Sequence, residues 1–100
     1  MIKNGARLES QVCDTQVIVV KFTDTLGDLR AGGHPMVLIG AAHADGLSLE
    51  PDWSSGAAMG KRYVDASGGE VLVTRAGAGA LAVGSTAMTV KAAAPLPASD

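Results

Sequence analysis

The sequence is poor in the residues that usually hold very small domains together. Among 100 residues there is one cysteine, Cys13, and the only aromatics are Phe22, Trp53 and Tyr63. A single cysteine excludes an internal disulfide and fits a reducing compartment. The scarcity of aromatics removes the stacking platforms that single-stranded nucleic acids need. It also makes any core aliphatic and small-grained. Basic residues are scattered from Lys3 to Lys91, and the net charge is −2. No basic stripe offers a phosphate-backbone footprint, so nucleic acid is not an expected partner. Long apolar runs are missing too. Glu9, Asp14 and Lys21 interrupt the early apolar stretches, and no stretch approaches a membrane span. These absences lead us to expect a soluble, cytoplasmic protein with no membrane partner and no cofactor.

What is present is an internal repeat. Gly5-Ala6-Arg7-Leu8 recurs as Gly60-Lys61-Arg62-Tyr63. Val17-Ile18-Val19-Val20-Lys21 recurs as Val71-Leu72-Val73-Thr74-Arg75, and Gly27-Asp28-Leu29 as Gly79-Ala80-Leu81. Gly32 and Met36 then match Gly84 and Met88. Each match is weak alone; their common order argues against chance. The division expected is a first module over residues 1–39, a connector over 40–59, a second module over 60–91 and an extended tail over 92–100.

Each copy reads as short strands joined by turns. Residues 17–22 form a β-branched run too short for a stable helix, and its unbroken apolarity predicts a strand buried on both faces. Residues 23–27 read as a hairpin loop. Gly32-Gly33 reads as a sharp turn, because glycine takes positive φ without steric cost. Pro35 restricts the chain before a further strand from Met36 to Ile39. The second copy repeats this plan, with strands at 61–64, 70–75, 80–83 and 87–91. The glycine-rich Arg75-Ala76-Gly77-Ala78-Gly79-Ala80 lacks the Gly-Lys-Ser/Thr ending of a phosphate loop and reads as a flexible hairpin tip.

At Ser10-Gln11-Val12-Cys13 the chain resembles the desulforedoxin module, which is also found at the N-terminus of desulfoferrodoxin. That module begins with a Cys-x-x-Cys turn, continues through a valine-rich strand and a hairpin, and ends in Leu-x-Cys-Cys-Gly-x-x-Met. Leu29, Gly33 and Met36 stand where the second motif expects them, and Cys13 matches the second cysteine of the first. The resemblance runs over residues 8–37 and again over 63–89. It implies four ligand positions per copy: Ser10, Cys13, Ala31 and Gly32, then Asp65, Gly68, Val83 and Gly84. One thiolate cannot complete the tetrahedral tetrathiolate site that the family uses for iron or zinc. Such a metal contributes on the order of 10 kcal/mol to a small module, and modules under about 40 residues seldom fold without one. Because the family protein is a homodimer, the fused copies resemble a dimer made covalent, with a shared aliphatic core in place of the metals.

The fold expected is therefore all-β: two tandem desulforedoxin-like modules packed as a pseudo-twofold sandwich or barrel-like unit. Cys13 and His34 are the weak candidates for residual metal binding or a thiolate–imidazole pair. The bland alternative is a relic thiol beside a turn histidine, and no third orienting group favours the chemistry. His43, Asp45 and Asp52 could hold a hard ion, but such residues are more often turn formers. Asp65 and Glu70 could form a carboxylate pair, although nothing in the sequence fixes their separation. Arg7 and Arg62 are expected to pair with carboxylates on neighbouring strands. Trp53 is expected to plug the seam between the copies. Together with Tyr63, Met36 and Met88 it makes the candidate ligand-binding set. The function expected is a non-catalytic binding or accessory protein whose partner is a protein or a small apolar ligand, with a homo-oligomer also compatible. The alternatives are an enzyme with an apolar cavity between the modules and residual metal binding through Cys13.

Overall fold

The structure, a computed structural model, describes residues 3–91. The expected C-terminal tail, residues 92–100, lies outside the described residues. The chain is all-β. Among the described residues ten short strands follow in order: β1 Arg7–Glu9, β2 Gln16–Lys21, β3 Leu29–Ala31, β4 His34–Pro35, β5 Val37–Leu38, β6 Arg62–Val64, β7 Glu70–Arg75, β8 Leu81–Val83, β9 Thr86–Ala87 and β10 Thr89–Val90. Short 3-10 turns occupy Asp24–Asp28 and Pro51–Trp53. The first replaces the open hairpin loop expected at residues 23–27. Among the described residues no helix is long and apolar enough to cross a membrane.

All pairings are antiparallel and they form two open sheets rather than a closed barrel. The larger runs β10-β6-β7-β2-β1-β5, and the smaller runs β4-β3-β8-β9. Both sheets join the two halves of the chain at their centres. In the larger, Val17 faces Val73, Ile18 faces Leu72 and Val19 faces Val71. In the smaller, Leu29 faces Val83, Arg30 faces Ala82 and Ala31 faces Leu81. Exchanging the residues matched in the sequence repeat leaves these two registers unchanged. The pairs Ile18–Leu72 and Arg30–Ala82 mark where the halves mirror each other.

One core serves both sheets. Leu8, Val17, Val19, Tyr63, Val71 and Val73 from the larger meet Leu29, Ala31 and Leu81 from the smaller, with Leu26, Met36 and Met88 filling the ends. The period-two pattern of a strand explains which residues take part. Val17 and Val19 are buried, whereas Ile18 is half-buried and Val20 exposed. The expectation that this strand is covered on both faces is thus corrected: the shared core covers one face only. Small aliphatic side chains suffice because both halves contribute to the same core.

The loops are exchanged between halves. Thr23 and Thr25 bond to Ser67, each at 2.6 Å, and Thr25 donates to Asp65 Oδ2 at 2.6 Å. In return, Gly79 N–H donates to Cys13 Sγ at 3.3 Å, and the Thr15 hydroxyl donates to the Gly79 carbonyl at 3.4 Å. The glycine-rich tip is therefore pinned rather than free. A Cβ on Gly77 would overlap the backbone nitrogen of Thr15, and one on Gly79 would stand 2.7 Å from Gly32 N. Glycine is needed at these positions for close approach of two backbones.

Gly77 and Gly27 separate this packing requirement from glycine's general effects. A Cβ on Gly27 meets nothing within 4 Å. We predict that Gly77→Ala lowers unfolding stability by about 1–3 kcal/mol through overpacking against backbone, while Gly27→Ala stays within about 0.5 kcal/mol. Urea denaturation of both variants checks this, and equal effects would contradict the close-packed loop.

Candidate functional site

A cleft of about 750 Å³ lies between the two sheets at the end built by the second half. Val64, Asp65, Ala66, Ser67 and Thr89 line one wall; Val83, Thr86 and Ala87 line the other; Thr25 stands at its end. β6 and β10 belong to the larger sheet, β8 and β9 to the smaller, so the cleft is the gap left where the sheets diverge. Its walls alternate aliphatic groups with hydroxyls.

The first half has the same gap, and there it is closed. Gln11 bridges the sheets, its Nε2 donating to the Pro35 carbonyl at 2.8 Å. Its Oε1 accepts the Ala44 N–H at 2.7 Å. The connector after β5 then runs over the opening. Glu9 Oε2 receives Gly40 N–H at 3.3 Å and His43 Nε2 at 3.0 Å. His34 Nε2 meets the Ser48 carbonyl at 2.9 Å, and Glu50 N–H donates to the Gly32 carbonyl at 3.0 Å. Leu49 and Val12 fill the space beside Gly32: a Cβ there would meet each at 2.7 Å. The counterpart of Gly32 is Gly84, where a Cβ would meet only Asp28 Oδ2, at 3.3 Å.

The difference between the two ends follows from a few residues. By strand register Glu9 corresponds to Val64, and His34 and Pro35 to Thr86 and Ala87. Turn position places Gln11 opposite Ala66. The polar groups that fasten the connector are thus aliphatic or short in the second half. Sequence reasoning missed this cleft. The signal was available in the repeat itself, as polar-to-apolar exchange at matched positions.

Two carboxylates hold the cleft's walls. Burial raises the Asp65 carboxyl, but hydrogen bonds from Thr25, Ser67 and Gly69 outweigh it and leave it below its ordinary value. Glu70, buried on β7, is lowered chiefly by its hydrogen bond from Lys91, against some desolvation and with help from Arg62. The bonds measure 3.0 Å from Lys91 Nζ and 3.1 Å from Arg62 Nη1. Lys91 directly follows β10, so Glu70 ties that edge strand to β6 and β7. The two carboxylates therefore have separate structural tasks rather than forming a pair. Arg62 meets the expected cross-strand carboxylate, whereas Arg7 faces Ile18 on β2.

The residues singled out from sequence lie mostly elsewhere. Tyr63, Met36 and Met88 belong to the shared core, because their inward positions on or beside the strands put them between the sheets. The Tyr63 hydroxyl accepts Ala58 N–H at 3.1 Å. They do not line an open pocket. Trp53 is half-buried over the smaller sheet, in a shallow depression with Arg30 and Gly33 on one side of the seam and Ala82 and Gly84 on the other. It caps the seam from outside instead of filling it. Cys13 is half-buried, and its thiol bonds Thr15 Oγ1 at 3.3 Å. Burial raises that thiol, and bonds to Ser10, Thr15 and Gly79 bring it below its usual value.

His34 instead faces Ser48 and Glu50, so the Cys13–His34 pair is not assembled. His43 is engaged by Glu9, and Asp45 and Asp52 are exposed. Among the described residues no group of three or more His, Cys, Asp or Glu is placed to hold a metal ion. At the four positions of the first half, Ser10 Oγ accepts N–H bonds from Val12 and Cys13 at 3.1 and 3.2 Å. Ala31 is buried apolar surface and Gly32 is packed by Leu49 and Val12. This set does not fit a tetrathiolate metal.

Neither a protein-family model, nor a curated protein, nor a solved structure matches this chain.

Glu9, bonded by His43 and Gly40 in the first half, is also held below its ordinary value; at the cleft the acid response follows from Asp65 and Glu70. Both ionise more readily in the folded than in the unfolded chain. Their contribution is therefore complete above the ordinary values of 3.8 for Asp and 4.5 for Glu, and it is lost as pH falls through the lower folded values. We predict a falling urea midpoint as pH drops below about 4.5. Glu70→Gln should cost about 1–3 kcal/mol at neutral pH and flatten that acid limb. An unchanged limb in the variant would show that Glu70 is not a source of the pH dependence.

Proposed function

We propose that this protein is a non-catalytic binding module, descended from a duplicated desulforedoxin-like unit, that takes an apolar ligand in the open cleft of its second half. The observation that carries the reading is the unequal treatment of two matching clefts. One is closed by Gln11 and the connector, and the other, among the described residues, leaves Val64, Ala66, Val83 and Ala87 uncovered. Concave, mainly apolar surface with a few polar groups is what small-ligand and peptide sites have in common. Exposed apolar surface left in one place on a small domain also marks interaction sites.

The descent is supported by the matched registers and by the turns. Ser10 and Asp65 occupy the same place in the two halves and do the same work, accepting backbone N–H groups from the two to four residues that follow. In a metal-binding ancestor, a cysteine at such a position would hold the turn through the metal. Here hydroxyl and carboxylate oxygens hold it by hydrogen bonds, and Leu49 and Val12 supply the packing in the first half. On this reading fusion replaces metal with core, and the second cleft is left for binding.

The uncharged fluorophore phenylnaphthylamine tests the reading. The native chain should bind it saturably at one site with enhanced emission. Ala66→Gln, which restores the bridging side chain of the first half, and Ala87→Trp, which fills the opening, should each weaken binding at least about tenfold. Absence of binding, or binding indifferent to both substitutions, would sink the proposal.

A further inference from the structure

We infer that the natural occupant of the second cleft is a short, extended, uncharged protein segment bearing leucines at alternate positions. This rests on the binding reading above and names the partner. The argument begins with what occupies the matching cleft. In the first half the seated part of the connector is Leu47-Ser48-Leu49-Glu50. Leu47 and Leu49 are half-buried, while Ser48 and Glu50 between and after them are exposed. The segment is held by backbone as much as by side chain: the Ser48 carbonyl meets His34 and the Glu50 N–H meets the Gly32 carbonyl. Leu49 sits against Gly32, and the same space at Gly84 is bordered only by Asp28. The fold thus already accommodates a Leu-x-Leu segment at one of two equivalent openings.

The lining of the second opening sets the segment's charge. The first cleft meets the connector with Glu9 and Gln11 at residues 40–44 and with His34 at Ser48; the second presents Val64, Ala66 and Thr86 instead. The one carboxylate in the lining, Asp65, already accepts from Thr25, Ser67 and Gly69. A charged side chain entering this cleft would lose hydration without gaining a partner. Peptide groups are better served. Thr25 and Ser67 spend their hydroxyl protons on Asp65, whereas the hydroxyls of Thr86 and Thr89 along the walls can both donate and accept. An extended chain offers both kinds of group along its length, with side chains turned alternately to the aliphatic patches.

The test uses the full chain, labelled with nitrogen-15, and a blocked synthetic peptide Ala-Gly-Leu-Ser-Leu-Ala. The control peptide has serine at both leucine positions. Saturable amide shifts at Val64, Ala66, Val83 and Thr86 are expected with the leucine peptide. Affinity should fall at least about tenfold with the control peptide and with Ala66→Gln protein. No peptide shifts, with phenylnaphthylamine still bound at these residues, would overturn the inference and leave the apolar cleft standing. Failure of both ligands would overturn the two together. Peptide binding that appears only after removal of residues 92–100 would assign the cleft to this chain's own C-terminal residues. Concentration-dependent shifts of the same amides without peptide would assign it to a second copy. Either result would overturn the inference.

Discussion

The antiparallel contact between β2 and β7 is the constraint from which the remaining structure follows. It brings Val17 and Val19 of one half beside Val73 and Val71 of the other and fixes the register of the larger sheet. With that register set, the smaller sheet can close only with Leu29 and Leu81 on the shared core. Modules the size of one half bury little apolar surface alone and are seldom stable. A single core drawn from both offsets the cost of ordering two sets of short strands. The exchanged loops follow from the same geometry, since each hairpin tip is carried across onto the first turn of the other half.

Matching halves need not remain equal. The connector leaves the first half beside its own opening, and Glu9, Gln11 and His34 are there to receive it. Covering that opening makes the connector part of the fold and removes one of two potential sites. The second opening carries no such fastening groups. Its walls are held from behind, by Asp65 on the turn and by Glu70 through Lys91 and Arg62, and its front is aliphatic and uncovered among the described residues.

Much of the architecture was legible in the residues. The repeated valine-rich strands, the Gly32-Gly33 turn with φ of 66° and 92°, and the paired Met36 and Met88 gave the all-β class and the correspondence of the halves. Burial was harder to read. An unbroken run such as Val17 to Val20 does not reveal that only alternate members face the core, because periodicity is hidden when both faces are apolar. The scarcity of large side chains points to Tyr63, Met36 and Met88 as a ligand surface, yet scarcity also makes them valuable as core filler. Gly77 and Gly79 looked like a loose tip, since sequence gives no sign that another backbone lies against them. The cleft was hidden for a different reason. It is defined by what Val64 and Ala66 lack relative to Glu9 and Gln11, and that comparison has meaning only once the two halves are superposed strand by strand.

The strands at the margins are very short. β5 and β10 bound the larger sheet, β4 and β9 the smaller, and each comprises two residues. Pro35 in β4 withholds a backbone donor as well. A long, flat edge invites another chain to continue the ladder, and natural sheets blunt that hazard by shortening it. Leu38, Ile39 and Val90 are exposed close to these margins, so the hazard is real for this composition. A chain lying alongside could form only a few hydrogen bonds before the template ran out. The protein can therefore carry aliphatic side chains on its periphery with little risk of polymerising through its sheets.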